Sequence, residues 1–410
     1  MTREQTILSA VDELEPDLIE LLQALIRIPT INPPGERYED FVTALRGRLD
    51  ALGYTTEVYS VPQDDLPTLA PFGEGLPRPN LLATLNRGDG PVVHLNGHYD
   101  VVPVGNDWTT DPFGGHQADG WIYGRGAADM KSGLAAQIIA AEAVRRAGFS
   151  GTIVQSAVPD EETVGVRNAG MGWLVENGLL QGDAVIITEP FGPDGVGIGH
   201  KGAIWGEITL HGKQAHGSSP RLGINAVEAM ARYLTAIDRD VRPLLETRVT
   251  TYGVTPPEPN ATLSFDTITG GAATNIVPDR CTVTFNRRLV PGEDLDEARR
   301  ELLEPLQALG LPYDYRETYS TEPVLVSEDE PVVQAACRAV EALGLTPRLL
   351  ISAGSDDQRF VVRNAGITNS VIYGPGTTAL SHISDERISV EDLVLGTKGL
   401  ALILSDLLGR

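Results

Sequence analysis

Apolar segments that are followed by histidine or acidic residues recur along the chain, and they restrict its fold more than any other feature. Each segment resembles a buried strand or a junction into a helix, because the apolar residues stop where the polar ones begin. They end at His98/Asp100, before Asp129, at Glu161/Glu162 and at Glu189. In an open α/β sheet, ligands bind at the carboxyl ends of the strands. The recurrence therefore predicts one shared polar site at that edge of a sheet.

The pair His98 and Asp100 shows the chemistry that such a site would use. The two residues lie two positions apart, so both side chains leave an extended backbone by the same face. A carboxylate beside an imidazole commonly orients a metal-binding histidine by accepting one ring N–H. An isolated pair of this kind is more often a hydrogen-bonded loop feature, so the metal interpretation depends on the other segments.

Each of the other segments also has a simpler interpretation. The glycines at Gly124 and Gly126 are similar to a dinucleotide loop, but the third glycine is missing at the required spacing. Asp129 precedes an alanine-rich helix and fits an N-cap. The acidic run from Asp160 to Glu162 fits an exposed turn, and Asp160 fits a solvated or hydrogen-bonding carboxylate better than a ligand.

Composition excludes several function classes. The net charge of −24 and the absence of a basic tract argue against nucleic acid as a partner. Cys281 and Cys337 stand far apart and outside any Cys-x-x-Cys motif, which predicts no disulfide framework. Charged residues near the start predict no signal peptide, and no apolar run has transmembrane length. We therefore expect a soluble cytoplasmic protein without a membrane partner.

The order of predicted elements indicates two domains in the 410 residues. Residues 200–318 follow the order strand-helix-strand-strand-helix-strand, which is that of a ferredoxin-like α+β domain. We expect this domain to be inserted into an α/β domain formed by residues 1–199 and 319–410, with a central mixed sheet between helices. The outer domain is predicted to begin with one helix over residues 4–28, and residues 62–79 are predicted to be a surface insertion. Residues 80–85 and 91–96 are predicted to pair as strands.

The motifs together resemble the co-catalytic zinc deacylases and exopeptidases, which include acetylornithine deacetylase, succinyl-diaminopimelate desuccinylase, aminoacylase and glutamate carboxypeptidase. The likeness covers nearly the whole chain and implies a zinc-exopeptidase-like catalytic domain with an inserted lid. The opening run from Leu25 to Gly35 favours the deacetylase–desuccinylase branch. The matching motifs are His98-x-Asp100, Gly124-Arg-Gly-Ala-Ala-Asp129-Met-Lys-x-Gly133, Asp160-Glu161-Glu162, Glu189-Pro190, Ala215-His216, Asn275-Ile-Val-Pro278, Gly354-Ser-Asp356 and Gly374-Pro-Gly…His382.

The resemblance implies two zinc ions per chain, for which Co²⁺ or Mn²⁺ can substitute. Asp129 would bridge the ions, with His98 and Glu189 completing one site and Glu162 and His382 the other. Imidazole and carboxylate groups are good zinc ligands, and two such ions lower the pKa of a shared water. In the same resemblance Glu161 is the general base, and Asp100 orients His98.

The inserted domain supplies the remaining residues that the resemblance implies. His216 matches a histidine that reaches a partner subunit's active site and stabilises the oxyanion. Asn275 and Arg288 match residues that grip the substrate carboxylate, although the adjacent Arg287 could take that role. Substrate-backbone contacts are implied for Gly354 and Ser355. The strand predicted at residues 204–211 would offer an exposed edge, so we expect a homodimer through this domain.

These features predict a metal-dependent hydrolase that cleaves the amide bond of an N-acyl amino acid. A dipeptidase or carboxypeptidase of the same family is the alternative. A catalytically inactive binding protein would require a lost ligand, and none is missing. A serine hydrolase would require a Gly-x-Ser-x-Gly elbow, which the sequence lacks. Ala353-Gly-Ser-Asp-Asp357 departs from the usual Gly-Thr-Ser-Asp of the family and leaves the acyl group open.

Overall fold

A computed structural model describes residues 2–163 and 167–409. The chain divides into two compact units. The first, called the outer unit, consists of Met1–Gly199, Leu325–Ser352 and Asp356–Arg410, and the second, called the inserted unit, of His200–Val324 and Ala353–Ser355. In the described residues we find no helix with both the length and the apolar character needed to span a bilayer.

The regular elements alternate along the outer unit and follow a different order in the inserted unit. The strands are β1 Thr55–Ser60, β2 Pro79–Asn86, β3 Val92–His98, β4 His116–Ala118, β5 Trp121–Tyr123, β6 Thr152–Val158, β7 Ala184–Ile187, β8 Gly195–His200, β9 Gly202–His211, β10 Gly253–Thr255, β11 Thr262–Gly270, β12 Arg280–Leu289, β13 Tyr313–Thr321, β14 Val324–Leu325, β15 Arg348–Ser352, β16 Ser370–Ile372 and β17 Arg387–Ser389. The helices are α1 Arg3–Glu13, α2 Glu15–Ile26, α3 Tyr38–Ala51, α4 Leu66–Leu69, α5 Lys131–Ala147, α6 Met171–Glu176, α7 Ala226–Ala236, α8 Arg242–Leu245, α9 Leu295–Gln307, α10 Pro331–Ala342 and α11 Val390–Leu407.

A mixed central sheet organises the outer unit, with the order β1-β2-β6-β3-β7-β16-β8-β15. β3 is parallel to both β6 and β7, so these three strands end at the same edge. The predicted pairing of residues 80–85 with 91–96 is wrong, because β6 lies between β2 and β3. β6 is a nearly continuous buried strand, as expected for a strand between two neighbours. The predicted α/β class with a central mixed sheet is confirmed.

Helices pack against this sheet, and α5 does so with small side chains. The alanine-rich α5 is buried over most of its length and packs on β3, β6 and α11. The single helix predicted for residues 4–28 is wrong, because the chain forms α1 and α2 with a break at Leu14. Pro16 sits in the first turn of α2, where its missing N–H is tolerated, whereas inside one continuous helix it would clash with the preceding turn.

Residues 62–79 are not purely a surface insertion. Leu66 and Leu69 of α4 belong to a buried apolar cluster, and Arg78 has only 1% of its surface exposed. Arg78 forms a fully buried ion pair with Asp160, in which Nε lies 2.7 Å from Oδ2. The many prolines and glycines of this segment indicated turns correctly but gave no sign of its buried side chains.

The inserted unit contains an antiparallel sheet in the order β11-β12-β9-β13. Helices α7 and α9 pack on one face, where Ile208, Val283 and Phe285 belong to the core. This is the predicted ferredoxin-like arrangement. The expectation that residues 204–211 form an exposed edge is wrong, because β9 pairs with β12 on one side and β13 on the other.

Candidate metal centre

His98 lies at the carboxyl end of β3 with 1% of its surface exposed. Its Nδ1 is 3.0 Å from the backbone oxygen of Asp100, and a carbonyl can only accept, so Nδ1 carries the proton. Nε2 therefore faces the acidic side chains, 3.1 Å from Oδ1 of Asp129 and 3.5 Å from Oε1 of Glu189. This is the ring orientation that a histidine needs to bind a metal through Nε2.

The two oxygens of Asp129 face two different histidines. Oδ1 lies 3.1 Å from Nε2 of His98, and Oδ2 lies 3.4 Å from Nε2 of His382. On the far side, Nε2 of His382 is 3.0 Å from the carboxylate of Glu162. Asp129 thus stands between two groups of potential ligands, and the structure brings together all five residues that the sequence suggested as ligands, Glu189 being the fifth.

The possible ligand atoms include two close groups, and within each group the atoms lie within 4.8 Å of one another. One consists of His98, Glu161 and Glu189, and the other of His98, Asp129 and Glu162. Glu161, which the sequence analysis took as the general base, therefore lies among the ligand atoms themselves.

The electrostatics of this cluster favour a cation. Burial, with the charge of Asp129, raises the pKa values of Glu162 and Glu189. Burial also raises the pKa of Glu161 well above its usual value, with Glu162 adding to the effect. Hydrogen bonds to Asp129 and Glu162 raise the pKa of His382 to about 11. Among the described residues, no lysine or arginine forms an ion pair with the three glutamates, so the donors fit divalent cations by charge and by type.

Asp100 contacts His98, as the prediction requires, and it also contacts the two neighbouring glutamates. Its carboxylate accepts the backbone N–H groups of Glu161 at 3.2 Å and Glu162 at 3.1 Å. The side-chain amide of Asn32 donates to it at 2.9 Å. Its contact with the His98 ring is longer, 3.4 Å from Nδ1 to Oδ1, than the contact made by its own carbonyl. Asp100 therefore orients His98 chiefly through its backbone and holds both glutamates through its side chain.

Asp160 is a hydrogen-bonding carboxylate rather than a ligand, as the sequence suggested, but it is buried and not solvated. It accepts hydrogen bonds from Arg78, from Asn32 at 2.9 Å and from the hydroxyl of Tyr38 at 3.1 Å. Burial raises the pKa of Asp160 to about 6, and the Arg78 guanidinium opposes that shift. These contacts tie the loop after β6 to the segments that carry Asn32 and Arg78.

Sequence reasoning missed Glu386, a fully buried residue immediately before β17. Its Oε1 accepts the backbone N–H groups of Gly126 at 2.9 Å, Ala128 at 2.9 Å and Asp129 at 3.1 Å. Its other oxygen forms a buried ion pair with Arg125. Only the Asp-Glu pair that follows His382 in the sequence could have drawn attention to it.

Asp357 is a second residue that the sequence analysis did not place. Its Oδ2 accepts a hydrogen bond of 2.9 Å from Asn96, which lies on β3 two residues before His98. Burial raises the pKa of Asp357 to about 6, and the hydrogen bond from Asn96 opposes this. The preceding acid, Asp356, is buried as well.

The inserted unit holds the other residues singled out in the sequence. His216 lies in an exposed turn, where its Nδ1 is 3.1 Å from the backbone nitrogen of Ser218. Nδ1 accepts that N–H, so a neutral ring carries its proton on Nε2. Asn275 is exposed, and its carbonyl accepts the N–H of Gly217 at 2.7 Å. In the loop that contains Gly354, the Ser355 hydroxyl lies 2.6 Å from that of Tyr319.

Arg287 and Arg288, between which the sequence left the choice open, point to opposite faces of the sheet. Arg287 is 1% exposed and forms ion pairs with Glu293 and Glu301 on the helix-covered face. Arg288 points to the opposite face, where its guanidinium carbon lies 5.1 Å from the centre of the Trp205 ring. Arg288 is therefore the arginine of this pair that can meet a ligand on the open face.

Comparisons with known proteins agree with this geometry. Residues 94–406 match peptidase family M20/M25/M40. The chain is similar to a succinyl-diaminopimelate desuccinylase from Methylorubrum extorquens, with 32% identity over 92% of this chain and 94% of that protein.

Solved structures show the same fold. An M20 family metallo-carboxypeptidase from Sulfolobus solfataricus has a TM-score of 0.74 at 20% identity, covering 95% of this chain and 98% of its own. The YXEP protein of Bacillus subtilis, described as a dinuclear metal-binding peptidase of the M20 family, has a TM-score of 0.66 at 20% identity. That match covers 97% of this chain and 99% of the Bacillus protein.

Proposed function

The chain belongs to peptidase family M20/M25/M40, and we propose that this hydrolase of carbon–nitrogen bonds cleaves the amide bond of an N-acyl amino acid. The observation that carries the proposal is the carboxylate of Asp129, whose two oxygens face His98 and His382 separately. A carboxylate so placed can bridge two metal ions. The similarity to a protein named as a desuccinylase supports an acyl amino acid as the substrate.

We assign His98 and Glu189 to one ion, Glu162 and His382 to the other, and Asp129 to both. The donors are imidazole nitrogens and carboxylate oxygens, which suit zinc, and Co²⁺ or Mn²⁺ could substitute. Two bound divalent ions would supply an activated water and would polarise the scissile carbonyl.

Glu161 is the general base in this proposal. Its carboxylate lies within 4.8 Å of ligand atoms of His98 and Glu189, and its backbone N–H is fixed by Asp100. A carboxylate held there can accept a proton from the attacking water and pass it to the leaving amine. Asp100 also fixes the N–H of Glu162, so one side chain sets the spacing of base and ligand.

Exchanging the two neighbouring glutamates separately tests these roles. Glu161→Gln should keep two ions per chain and lower kcat by roughly 10²–10⁴-fold, the usual contribution of a placed base. Glu162→Gln should lose part of the metal at one site. Elemental analysis and steady-state kinetics on acetyl-, succinyl- and formyl-amino acids and on dipeptides give both readouts. Fewer than one ion per chain in active protein would contradict the dinuclear proposal, and turnover of dipeptides alone would favour a dipeptidase.

For the inserted unit we propose a lid and dimerisation role. Arg288 and Asn275 would hold the substrate carboxylate, and Gly354 and Ser355 its backbone. An exposed Nε2–H on His216 is a suitable donor to an oxyanion, and we propose that it acts in the partner subunit's site.

A homodimer is supported by the free edge that β11 presents within the described sheet. Ile268 of β11 has 59% of its surface exposed, and Val227 of the neighbouring α7 has 37%. Apolar side chains beside an unpaired strand are suited to self-association. Since β9 is an interior strand, β11 replaces it as the proposed pairing edge.

Complementation separates action in cis from action in trans. Inactive His216→Ala chains are mixed with inactive Glu161→Gln chains under conditions that allow subunit exchange. If His216 acts in trans, each heterodimer contains one site with both defects and one intact site, so activity should return. Proven exchange without recovery would contradict the shared site.

A further inference from the structure

One buried carboxylate fixes the backbone that presents the proposed bridging ligand. We propose that Glu386 is a positioning residue: it holds residues 126–129 in place and thereby sets the Asp129 carboxylate between the two histidines. The inference rests on the proposed role of Asp129 as a ligand of both ions. Three backbone N–H groups from residues 126, 128 and 129 converge on one oxygen of Glu386 within 2.9–3.1 Å.

These N–H groups need an acceptor from outside their own segment. They precede α5, whose first residue is Lys131, so the helix supplies no carbonyl to them. Gly126 and Ala128 are buried, so bulk water has little access to their N–H groups. Gly126 also has φ of +86°, and a Cβ on it would lie 2.8 Å from a methyl carbon of Val101. The segment is therefore a tight, buried turn whose shape depends on Glu386.

Glu386 connects the Asp129 turn to the loop that carries His382. It follows His382 by four residues, and its own carbonyl accepts the N–H of Gly124 at 2.9 Å. The next residues form β17, which pairs antiparallel with β5 just before that turn. Nε2 of His382 and Oδ2 of Asp129, the two proposed ligands, lie 3.4 Å apart. Glu386 therefore directly joins the two chain segments that carry these ligands.

An ionised glutamate suits this position because every group that touches its carboxylate is a donor. Three are backbone N–H groups and the fourth is the guanidinium of Arg125, which is also buried. An acceptor-only carboxylate satisfies all four, whereas a hydroxyl proton would face a donor. Glu386 thus makes two kinds of contact that can be tested separately. It accepts hydrogen bonds from the backbone, and it forms an ion pair with Arg125.

A matched pair of double variants isolates the backbone part. Both Glu386→Gln/Arg125→Met and Glu386→Ala/Arg125→Met lack the ion pair, but only the glutamine variant retains an oxygen for the three N–H groups. Full-length protein purified with zinc is titrated with a chromophoric chelator, and the zinc retained is measured. The alanine variant should hold zinc 10–100-fold more weakly, the usual effect of losing a group that orients a ligand. The glutamine variant should stay close to the unsubstituted protein.

Glu142→Gln is the control for losing a glutamate–arginine contact elsewhere. Glu142 is largely buried on α5 and accepts hydrogen bonds from Arg145 and Arg146, and its replacement should leave zinc retention unchanged. Equal retention in the two double variants would overturn the inference while leaving the dinuclear proposal intact. An unsubstituted protein that holds less than one zinc ion would overturn both. An alanine variant that unfolds, shown by circular dichroism, is replaced by Glu386→Ser/Arg125→Met under the same criteria.

Discussion

Acidification should destabilise the fold through one histidine remote from the metal centre. His94 lies inside β3 with no exposed surface. Its Nδ1 is 2.9 Å from the carbonyl oxygen of Gln181, and its Nε2 is 2.8 Å from the hydroxyl of Ser156. Burial lowers the pKa of His94 from 6.5 to about 4, and the bond to Gln181 opposes part of that shift. The ring is therefore neutral in the folded protein at neutral pH.

Proton linkage gives the direction and the magnitude of this change in the free energy of unfolding. Above pH 6.5 the ring is neutral in both states and contributes no pH dependence. Between pH 6.5 and about 4 the unfolded chain binds a proton that the folded chain does not, so the free energy of unfolding falls as pH falls. One pKa unit corresponds to about 1.4 kcal/mol, so the difference between 6.5 and about 4 gives a total loss of about 3 kcal/mol.

Urea unfolding of the unsubstituted protein and of His94→Gln, from pH 7.5 to 4.5, measures this effect. Glutamine can donate to the Gln181 carbonyl but does not titrate. Protonation of the metal ligands affects both proteins equally and cancels in the difference between their free energies of unfolding. Since pH 4.5 is still above the folded pKa of about 4, that difference should shift by about 2.5 kcal/mol towards the variant over this range. A difference that stays constant across this range would refute the assigned pKa of His94.

Three further outcomes test other parts of the structure. A chelator should abolish hydrolysis, and added Zn²⁺ should restore it; activity that survives complete metal removal would contradict the proposal. Arg78→Met should lower the free energy of unfolding by about 3–5 kcal/mol because it leaves the buried carboxylate of Asp160 without its ion-pair partner. The control Arg338→Met removes an exposed ion pair with Asp406 and should cost at most about 1 kcal/mol. Equal losses in urea unfolding would contradict this prediction. Arg288→Met should raise KM with little loss of stability, whereas Arg287→Met should lower the unfolding temperature; the reverse pattern would exchange their roles.

The sequence predicted the parts of the site that depend on local order. His98, Glu162 and Glu189 follow strands whose apolar composition is plain, and parallel strands bring their carboxyl ends to one edge. The structure places these residues together because β3, β6 and β7 are neighbours and parallel. The two-domain element order was also readable, because each element of the inserted unit has a clear periodicity.

The residues that were missed act across long separations in the chain. Glu386 bonds to backbone groups about 260 positions earlier, and backbone N–H groups carry no sequence signature. Arg78 stands in a segment rich in proline and glycine, yet it is paired with Asp160 at a separation of 82 residues. The predicted strand order was wrong for the same reason. β6 lies between β2 and β3 in the sheet, although it follows α5 in the sequence. Pairings of this kind depend on tertiary packing that local patterns do not encode.

The outer unit contains a crowded group of acidic side chains that costs folding free energy. The positive charges available near these acids explain how the fold can tolerate that cost. Glu161, Glu162 and Glu189 are crowded around Asp129, and burial raises the pKa of each glutamate. Placing these groups together opposes folding unless positive charge is supplied. A divalent ion that bound only the folded chain would supply that charge, and it would stabilise the fold by about 2.7 kcal/mol at a hundred times its dissociation constant. Asp160, a few residues away, has Arg78 as its partner instead. Acids that a protein cation neutralises and acids without such a partner among the described residues thus lie side by side, and the second group forms the candidate metal centre.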